Sequence, residues 1–411
     1  MKLPSTLFIL LWTGVIVSQC LLPAIADDHL EQRFDSKEAL TAYIRNNPKL
    51  TELHIYENPQ KKGAIDMESR LISLPPLPES LTVLSVRECV SLTSLPPLPK
   101  PLTDLSLIDC YKLSSLPPLP DSLVHLEIAS CESLTSIPKW PNHLKSLHIF
   151  NCYRIKSLPP FPSSLTELQI AQVLIDLKTH QCVLITSLPP LPSSLNDLFV
   201  ADVNISALSP LPSSLKKLEI NCCNGTSLPP LPSSLNTLYI SGWVNLTHLL
   251  PLPASIGELQ IRNCNNLSSL PPLPDSLTQL TIENSPSIES LPPLPKSLTR
   301  LSLNDCRKIG SLPPLPESLQ CLEIRNCSGI TNIPALPNSL KALAITKCAG
   351  ITSLPTLPES VTRVLLFDCP NITSLPKVTP HHGPIILDIG GCPGITQIPS
   401  PYEESEHGWF Q

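Results

Sequence analysis

The segment SLPPLPESLTVLSVREC, residues 73–89, returns with small changes along most of the chain. Taking the residue that opens each LxxLxI stretch as a marker, the units start at Leu50, Leu81, Leu102, Leu123, Leu144, Leu165, Leu195, Leu215, Leu235, Ile256, Leu277, Leu298, Leu319, Leu340, Val361 and Pro384. Most are 21 residues apart; the steps after Leu50 and Leu165 are 31 and 30 residues, and the units at Leu195 and Leu215 are one residue short. A fixed period this short leaves each unit too small to close a core of its own. Neighbouring units must stack and share one.

Within a unit, the letters dictate the local backbone. In LTVLSVREC, Leu84 and Val86 alternate with Val83, Ser85 and Arg87, the period-two pattern of a short strand with one buried face. The return path LTSLPPLPKP carries prolines that have no N–H to donate, so it cannot join a central ladder. It suits an extended, polyproline-like run with its leucines turned inward. The chain has 50 prolines, and hydrophobic residues make up 42% of it at fixed spacing, so a core can be buried despite the proline content. Proline preset in its bound conformation reduces the freedom lost on folding by about 0.4–1 kcal/mol per compatible site. The expected fold class is an α/β leucine-rich repeat solenoid, with a parallel concave sheet, an extended convex side and a short N-terminal helical cap. Such short units predict shallow curvature, and sixteen strands at about 4.8 Å would span roughly 75 Å.

Four segments are expected: a signal peptide over 1–26, a helical cap over 27–49, the solenoid of about 16 units over 50–400, and a polar tail over 401–411. Lys2, the apolar run LFILLWTGVIV and Ala24-Ile25-Ala26 fit a cleaved export signal. An uncleaved anchor, or lipidation at Cys20, are rival readings; Gln19 stands where a lipoprotein signal usually has a small residue. In DSKEALTAYIRNNP, Asp35 or Ser36 is the helix cap, and Ala39, Leu40, Tyr43 and Ile44 follow at helical spacing before Pro48. Residues 377–411 lose the repeat and are expected to form a weaker cap. No second apolar stretch of membrane length follows the signal, so an exported, secreted or surface-held protein is expected. With a formal net charge of -6 and no dense Lys/Arg run, neither nucleic acid nor an anionic membrane is an expected partner.

Residues 74–376, with LPPLPESLTVLSV, LPPLPDSLVHLEI and LPPFPSSLTELQI, resemble the bacterial effector leucine-rich repeats of the YopM and IpaH class. Units with Cys at the Asn position, as in LEIRNC, are also similar to the repeats of plant immune receptors. The resemblance implies a bare repeat scaffold. The ubiquitin-ligase domain of IpaH-type proteins is not expected here, and the phosphate-binding glycine loop of the plant receptors is missing from the sequence.

Chemistry-bearing residues are few. Cys89, Cys110, Cys131, Cys152, Cys223, Cys264, Cys306, Cys327, Cys348, Cys369 and Cys392 all sit eight residues after an opening position, where the first unit has Asn58. A buried column of thiols donating weakly to turn carbonyls is the leading reading. Disulfides between neighbours are the rival, and zinc is disfavoured because no paired Cys-x-x-Cys recurs. His381-His382 and His180-Gln181-Cys182 lack partners at a catalytic spacing, and no HExxH, GxSxG or Walker sequence exists, so no enzyme, cofactor or metal is expected.

Side chains two, four and six after each opening position should project from the concave sheet. On them Phe150, Phe199 and Tyr239, with Trp243 nearby, stand out in a chain only 4% aromatic, and exposed aromatics favour a protein-binding patch. Trp243 itself, at the cysteine position, is expected to be buried. Arg262, Glu283, Arg300, Glu323 and Arg325 form a charged stretch that either sets register with a partner or is simply solvated. Asp109, Asp202, Asn263, Asn284, Asp305, Asn326 and Asp368, just before the cysteine column, read as turn residues bonding their own backbone rather than a calcium site. The long unit AQVLIDLKTHQCVLIT is a candidate interface segment. Asn204, Asn224, Asn245, Asn266, Asn326 and Asn371 lie in N-x-[ST] sequons, which matter only in a eukaryotic source. The functional expectation is an exported, non-enzymatic scaffold that binds a protein through its concave face, with a surface spacer or a glycan-binding module as alternatives.

Overall fold

The computed structural model describes residues 32–34, 36–57, 71–172, 187–201, 210–221, 227–375, 378, 384–398, 400 and 402–404. The expected signal peptide, His180, Cys182, Asp202, Asn204, Cys223, Asn224, His381, His382 and most of the long unit lie outside these residues.

Strand β1 (Gln32–Phe34) and helix α1 (Lys37–Asn46) come first, followed by β2 (Glu52–Glu57), β3 (Val83–Arg87), β4 (Asp104–Ile108), β5 (His125–Ala129), β6 (Ser146–Phe150) and β7 (Glu167–Ala171). Then come β8 (Asp197–Ala201), β9 (Lys217–Asn221), β10 (Thr237–Ser241), β11 (Glu258–Arg262), β12 (Gln279–Glu283) and β13 (Arg300–Asn304). The series closes with β14 (Cys321–Arg325), β15 (Ala342–Thr346), β16 (Arg363–Phe367), β17 (Ile385–Gly390) and β18 (Tyr402–Glu404). Each strand pairs in parallel with the next one in sequence. The register is that of the repeat: Leu280, Leu301 and Leu322 stand side by side on β12, β13 and β14. This is a leucine-rich repeat solenoid.

One unit shows how the letters fill the core. Leu298, Leu301, Leu303, Cys306 and Ile309 are fully buried and Leu312 nearly so, while Leu315 packs partly buried against them. Each leucine faces its counterparts one unit up and down, so truncating one to alanine opens a cavity costing about 2–5 kcal/mol. The proline run has neither helix nor strand, as its missing donors require. It ends in a turn that the Leu298 N–H closes by donating to the Pro295 carbonyl at 3.1 Å.

That turn explains a letter the sequence reading passed over, the serine of the LPxSL motif. Ser297 Oγ donates to the carbonyl of Leu277, one unit back, at 2.7 Å. The same bond runs from Ser276 to Ile256, Ser318 to Leu298, Ser339 to Leu319 and Ser360 to Leu340, at 2.6–2.7 Å. A second serine-bearing stretch, from Ser194 to Ser255, repeats it. The hydroxyls thus tie neighbouring units along an edge that the prolines cannot bond.

After β3–β6 and β10–β17 the chain turns through the left-handed region. Glu88, Asp109, Ser130, Asn151, Asn263, Asn284, Asp305, Asn326, Lys347 and Asp368 have φ between 44° and 55°, and Gly242 and Gly391 occupy the same position. Asn and Asp tolerate this conformation best among residues with a side chain, which explains their recurrence. In two pairs of them the side chains reach across to the neighbouring turn, and the Asp109 carboxylate accepts from a side chain of its own turn, where bonds to their own backbone were expected. Asn284 Nδ2 donates to Asn263 Oδ1 at 2.7 Å, Asn326 Nδ2 donates to Asp305 Oδ1, and Tyr111 donates to Asp109.

The cysteine column is buried and its described thiols are free. The Cys306 thiol faces the Ile282 and Asn304 carbonyls at 3.6 and 3.4 Å, and Cys327 faces those of Leu303 and Arg325 in the same way. Trp243 and Ser285 take the position in two units and are buried as well.

The ends are closed by strands as well as by a helix. Ser36 caps α1 by accepting the Ala39 N–H at 3.2 Å, Leu40 is fully buried, and Tyr43 lies 5.5 Å from the Phe34 ring. Phe34 belongs to β1, which lies along the open edge of β2. At the other end β18 pairs with β17 and buries Tyr402, so part of the stretch expected to be a polar tail continues the sheet. Among the described residues no helix is long and apolar enough to cross a membrane.

Candidate partner-binding face

Strand alternation turns the two-, four- and six-after side chains away from the core, and the in-register pairing lines them up in three rows across the sheet. The middle of these rows, over β6–β11, carries a series of polar clusters. His148 Nε2 lies 3.0 Å from Glu167 Oε1, Ser146 Oγ donates to Glu167 Oε2 at 3.1 Å, and Gln169 Nε2 donates to Glu167 Oε1 at 2.7 Å. With three partners, chiefly His148, the Glu167 carboxyl is held down at about 2.

Two strands on, the balance reverses. Lys217 Nζ stands 3.9 Å from Asp197 and 3.8 Å from Glu219, both loose contacts, and 6.0 Å from the centre of the Tyr239 ring. Burial outweighs that lysine and pushes both the Asp197 and the Glu219 carboxyls above their ordinary values. Burial and the hydrogen bond to Glu258 push the Tyr239 hydroxyl up likewise. Gln260 Nε2 then donates to Glu258 at 3.0 Å, and Arg262 pairs with Glu283 on the next strand at 3.3 Å.

The structure sorts the expected contact residues into four groups. Phe150 and Tyr239 are half-buried on the concave face. Phe199 is on the same face but only 6% exposed, packed with Ala171, Ala201 and Phe150 in a small cluster separate from the main core. It is therefore not the open aromatic the sequence suggested: the alanines on the neighbouring row leave room for the ring to be covered. Arg262 with Glu283, and Arg325 with Glu323, form ion pairs, although the Nε of each arginine is buried without a hydrogen bond, and Ser302 Oγ adds a bond to Glu323. Arg300 is exposed. Sequence reasoning missed Glu167, Gln169, Asp197, Lys217 and Glu219, although their position in the two- and four-after rows was readable. Among the described residues no group of three or more His, Cys, Asp or Glu side chains is placed to hold a metal ion.

The repeat register, the leucine core and the extended return path define a protein of the leucine-rich repeat fold. Among solved structures, the chain is similar to YopM from Yersinia pestis, a leucine-rich effector protein, with 25% sequence identity, a TM-score of 0.63, and coverage of 90% of this chain and 94% of that one. YopM from Yersinia enterocolitica WA-314 also matches, at 24% identity and a TM-score of 0.49, over 92% of this chain and 96% of the other. No protein-family model matches the chain, and neither does any curated protein.

Proposed function

We propose that this chain is an exported, non-enzymatic scaffold that binds a protein partner across its concave face. One observation carries the reading. From unit to unit the core letters barely change, while the three concave rows change at nearly every strand, as in Ser146, Glu167, Asp197, Lys217, Thr237 and Glu258 across β6–β11. A surface that served only as a spacer has no need of such variation. Half-buried aromatics beside fixed charges are the composition expected of a recognition surface. The likeness to YopM, a leucine-rich effector protein, supports a role on a partner outside the producing cell, and the N-terminal 26 residues fit an export signal.

A photo-crosslinking residue placed at Tyr239 or Arg300 should capture one discrete partner from the protein's native setting, whereas the same residue at the exposed Lys296, in the turn before β13, should not. Equal capture from all three positions, or none from the concave ones, overturns the proposal.

A further inference from the structure

The polar groups left without partners on the concave face are all of one kind over β7–β9. Gln169 is 8% exposed; its amide nitrogen is held by Glu167, and its Oε1 is buried with no hydrogen bond. Asp197 Oδ1, one strand over, is buried and equally unanswered. Glu219, 4% exposed on the third strand, has Lys217 at 3.8 Å as its nearest cation. A buried acceptor without a donor costs free energy that a ligand can return. The shortage here is of donors, and the concave rows of β7–β10 set three carboxylates, Glu167, Asp197 and Glu219, against one ammonium, Lys217. Phe199 lies between Gln169 and Glu219 in the same row and gives the floor an apolar wall. Glu167 and Lys217, each with about a third of its side chain exposed, form the open rim, and Asp197, equally exposed, contributes its buried Oδ1 to the floor.

We infer that the floor over β7–β9 receives an arginine side chain from a basic segment of the protein partner. Arginine brings five N–H donors and no acceptor, and its planar, weakly hydrated guanidinium suits carboxylates beside an aromatic wall. The upward displacement of the Asp197 and Glu219 carboxyls fits a site built for an incoming cation. The inference rests on the concave face being the binding surface and adds the chemistry of what it binds.

The test is calorimetric titration of the full chain with an oligoarginine peptide, with oligoglutamate and calcium chloride as separate arms. Oligoarginine should bind. Asp197→Asn, Glu219→Gln and the charge-neutral change Gln169→Leu should each weaken it about tenfold or more, as loss of a charge-assisted hydrogen bond does. Glu127→Gln and Glu323→Gln, on the same face but away from the floor, should change it less than about twofold. Thermal melts identify any variant that fails to fold, and the three floor variants are independent of one another. Equal weakening by all carboxylate variants, with Gln169→Leu silent, would show diffuse charge attraction and overturn the site; so would calcium binding at the floor, or no oligoarginine binding. Failure here with concave cross-linking intact leaves the proposed function standing; loss of cross-linking removes that function whatever the peptide does.

Discussion

His148 on β6 holds Glu167 on β7, its Nε2 3.0 Å from the Glu167 Oε1, and this contact dominates the depression of that carboxyl to about 2. A depressed acid stabilises the fold above its unfolded value of 4.5 and loses that contribution as pH falls through the folded one. Wild type should therefore be more stable than Glu167→Gln at pH 5–7, with the difference closing between about pH 4.5 and 2. Solvent screening at a side chain 35% exposed limits the gap to about 1 kcal/mol or less. Thermal melts of both proteins across this range check it, and a gap that widens in acid contradicts the assignment.

Glu219 has the opposite sign. Its folded carboxyl is raised by burial, so ionisation opposes folding at neutral pH. Glu219→Gln should be more stable than wild type near pH 7, by on the order of 1 kcal/mol, because it removes a poorly compensated buried charge. The advantage should vanish below the ordinary carboxylate range, where folded and unfolded carboxyls are both protonated. Urea melts at pH 7 and pH 3.5 separate the two regimes.

The serine bonds predict a graded response along the solenoid. Ser297→Ala leaves the Leu277 carbonyl without its 2.7 Å donor and should cost about 1 kcal/mol. His143 stands where the motif has serine, so His143→Ser should add a bond to the Leu123 carbonyl and gain up to about 1 kcal/mol. Chemical denaturation of both variants measures it. Equal and opposite shifts are not required, but a stabilising Ser297→Ala would show that the bond contributes nothing.

Lys347 holds a φ of 54°, a conformation that costs a non-glycine side chain about 1–2 kcal/mol, with Asn and Asp tolerating it best. Lys347→Gly should recover about 1 kcal/mol of that. The converse change, Gly391→Ala at φ 62°, also brings a Cβ against Asp368 Oδ1 and should destabilise by about 1–2 kcal/mol. Melting temperatures of the pair should move in opposite directions.

The thiol column should be chemically silent in the folded protein. Burial pushes Cys264, Cys348 and Cys369 up to about 11, so few of their thiols are ionised at pH 8. Alkylation followed by site-resolved mass spectrometry should leave these three unmodified until denaturant is added. Rapid native labelling would place them on the surface.

Much of this architecture was legible because its causes are local or strictly periodic. The Leu84/Val86 alternation, the donorless prolines and the spacing of Ala39, Leu40, Tyr43 and Ile44 each act within a few residues, and all three predicted the elements found. Ser36 rather than Asp35 caps the helix, a choice between neighbours that geometry had to make. The turn residues before the cysteines were recognised by type, but some of their bonds run to the neighbouring unit, as in Asn284 to Asn263 and Asn326 to Asp305. Strands β1 and β18 went unread because three residues carry too little pattern, and the open edges they cover exist only once the sheet is built.

The sequence by itself determined the repeat, the strand in each unit and the buried side of the sheet, since period-two alternation and a 21-residue register leave no other way to bury those leucines. Only the tertiary structure decided what the exposed side holds. Stacking brings Gln169, Phe199 and Glu219 from three consecutive units into one row, closes Phe199 among alanines, and pairs Arg262 with Glu283. Those relations depend on side chains a whole turn apart meeting at strand spacing, a distance the linear order of residues does not contain.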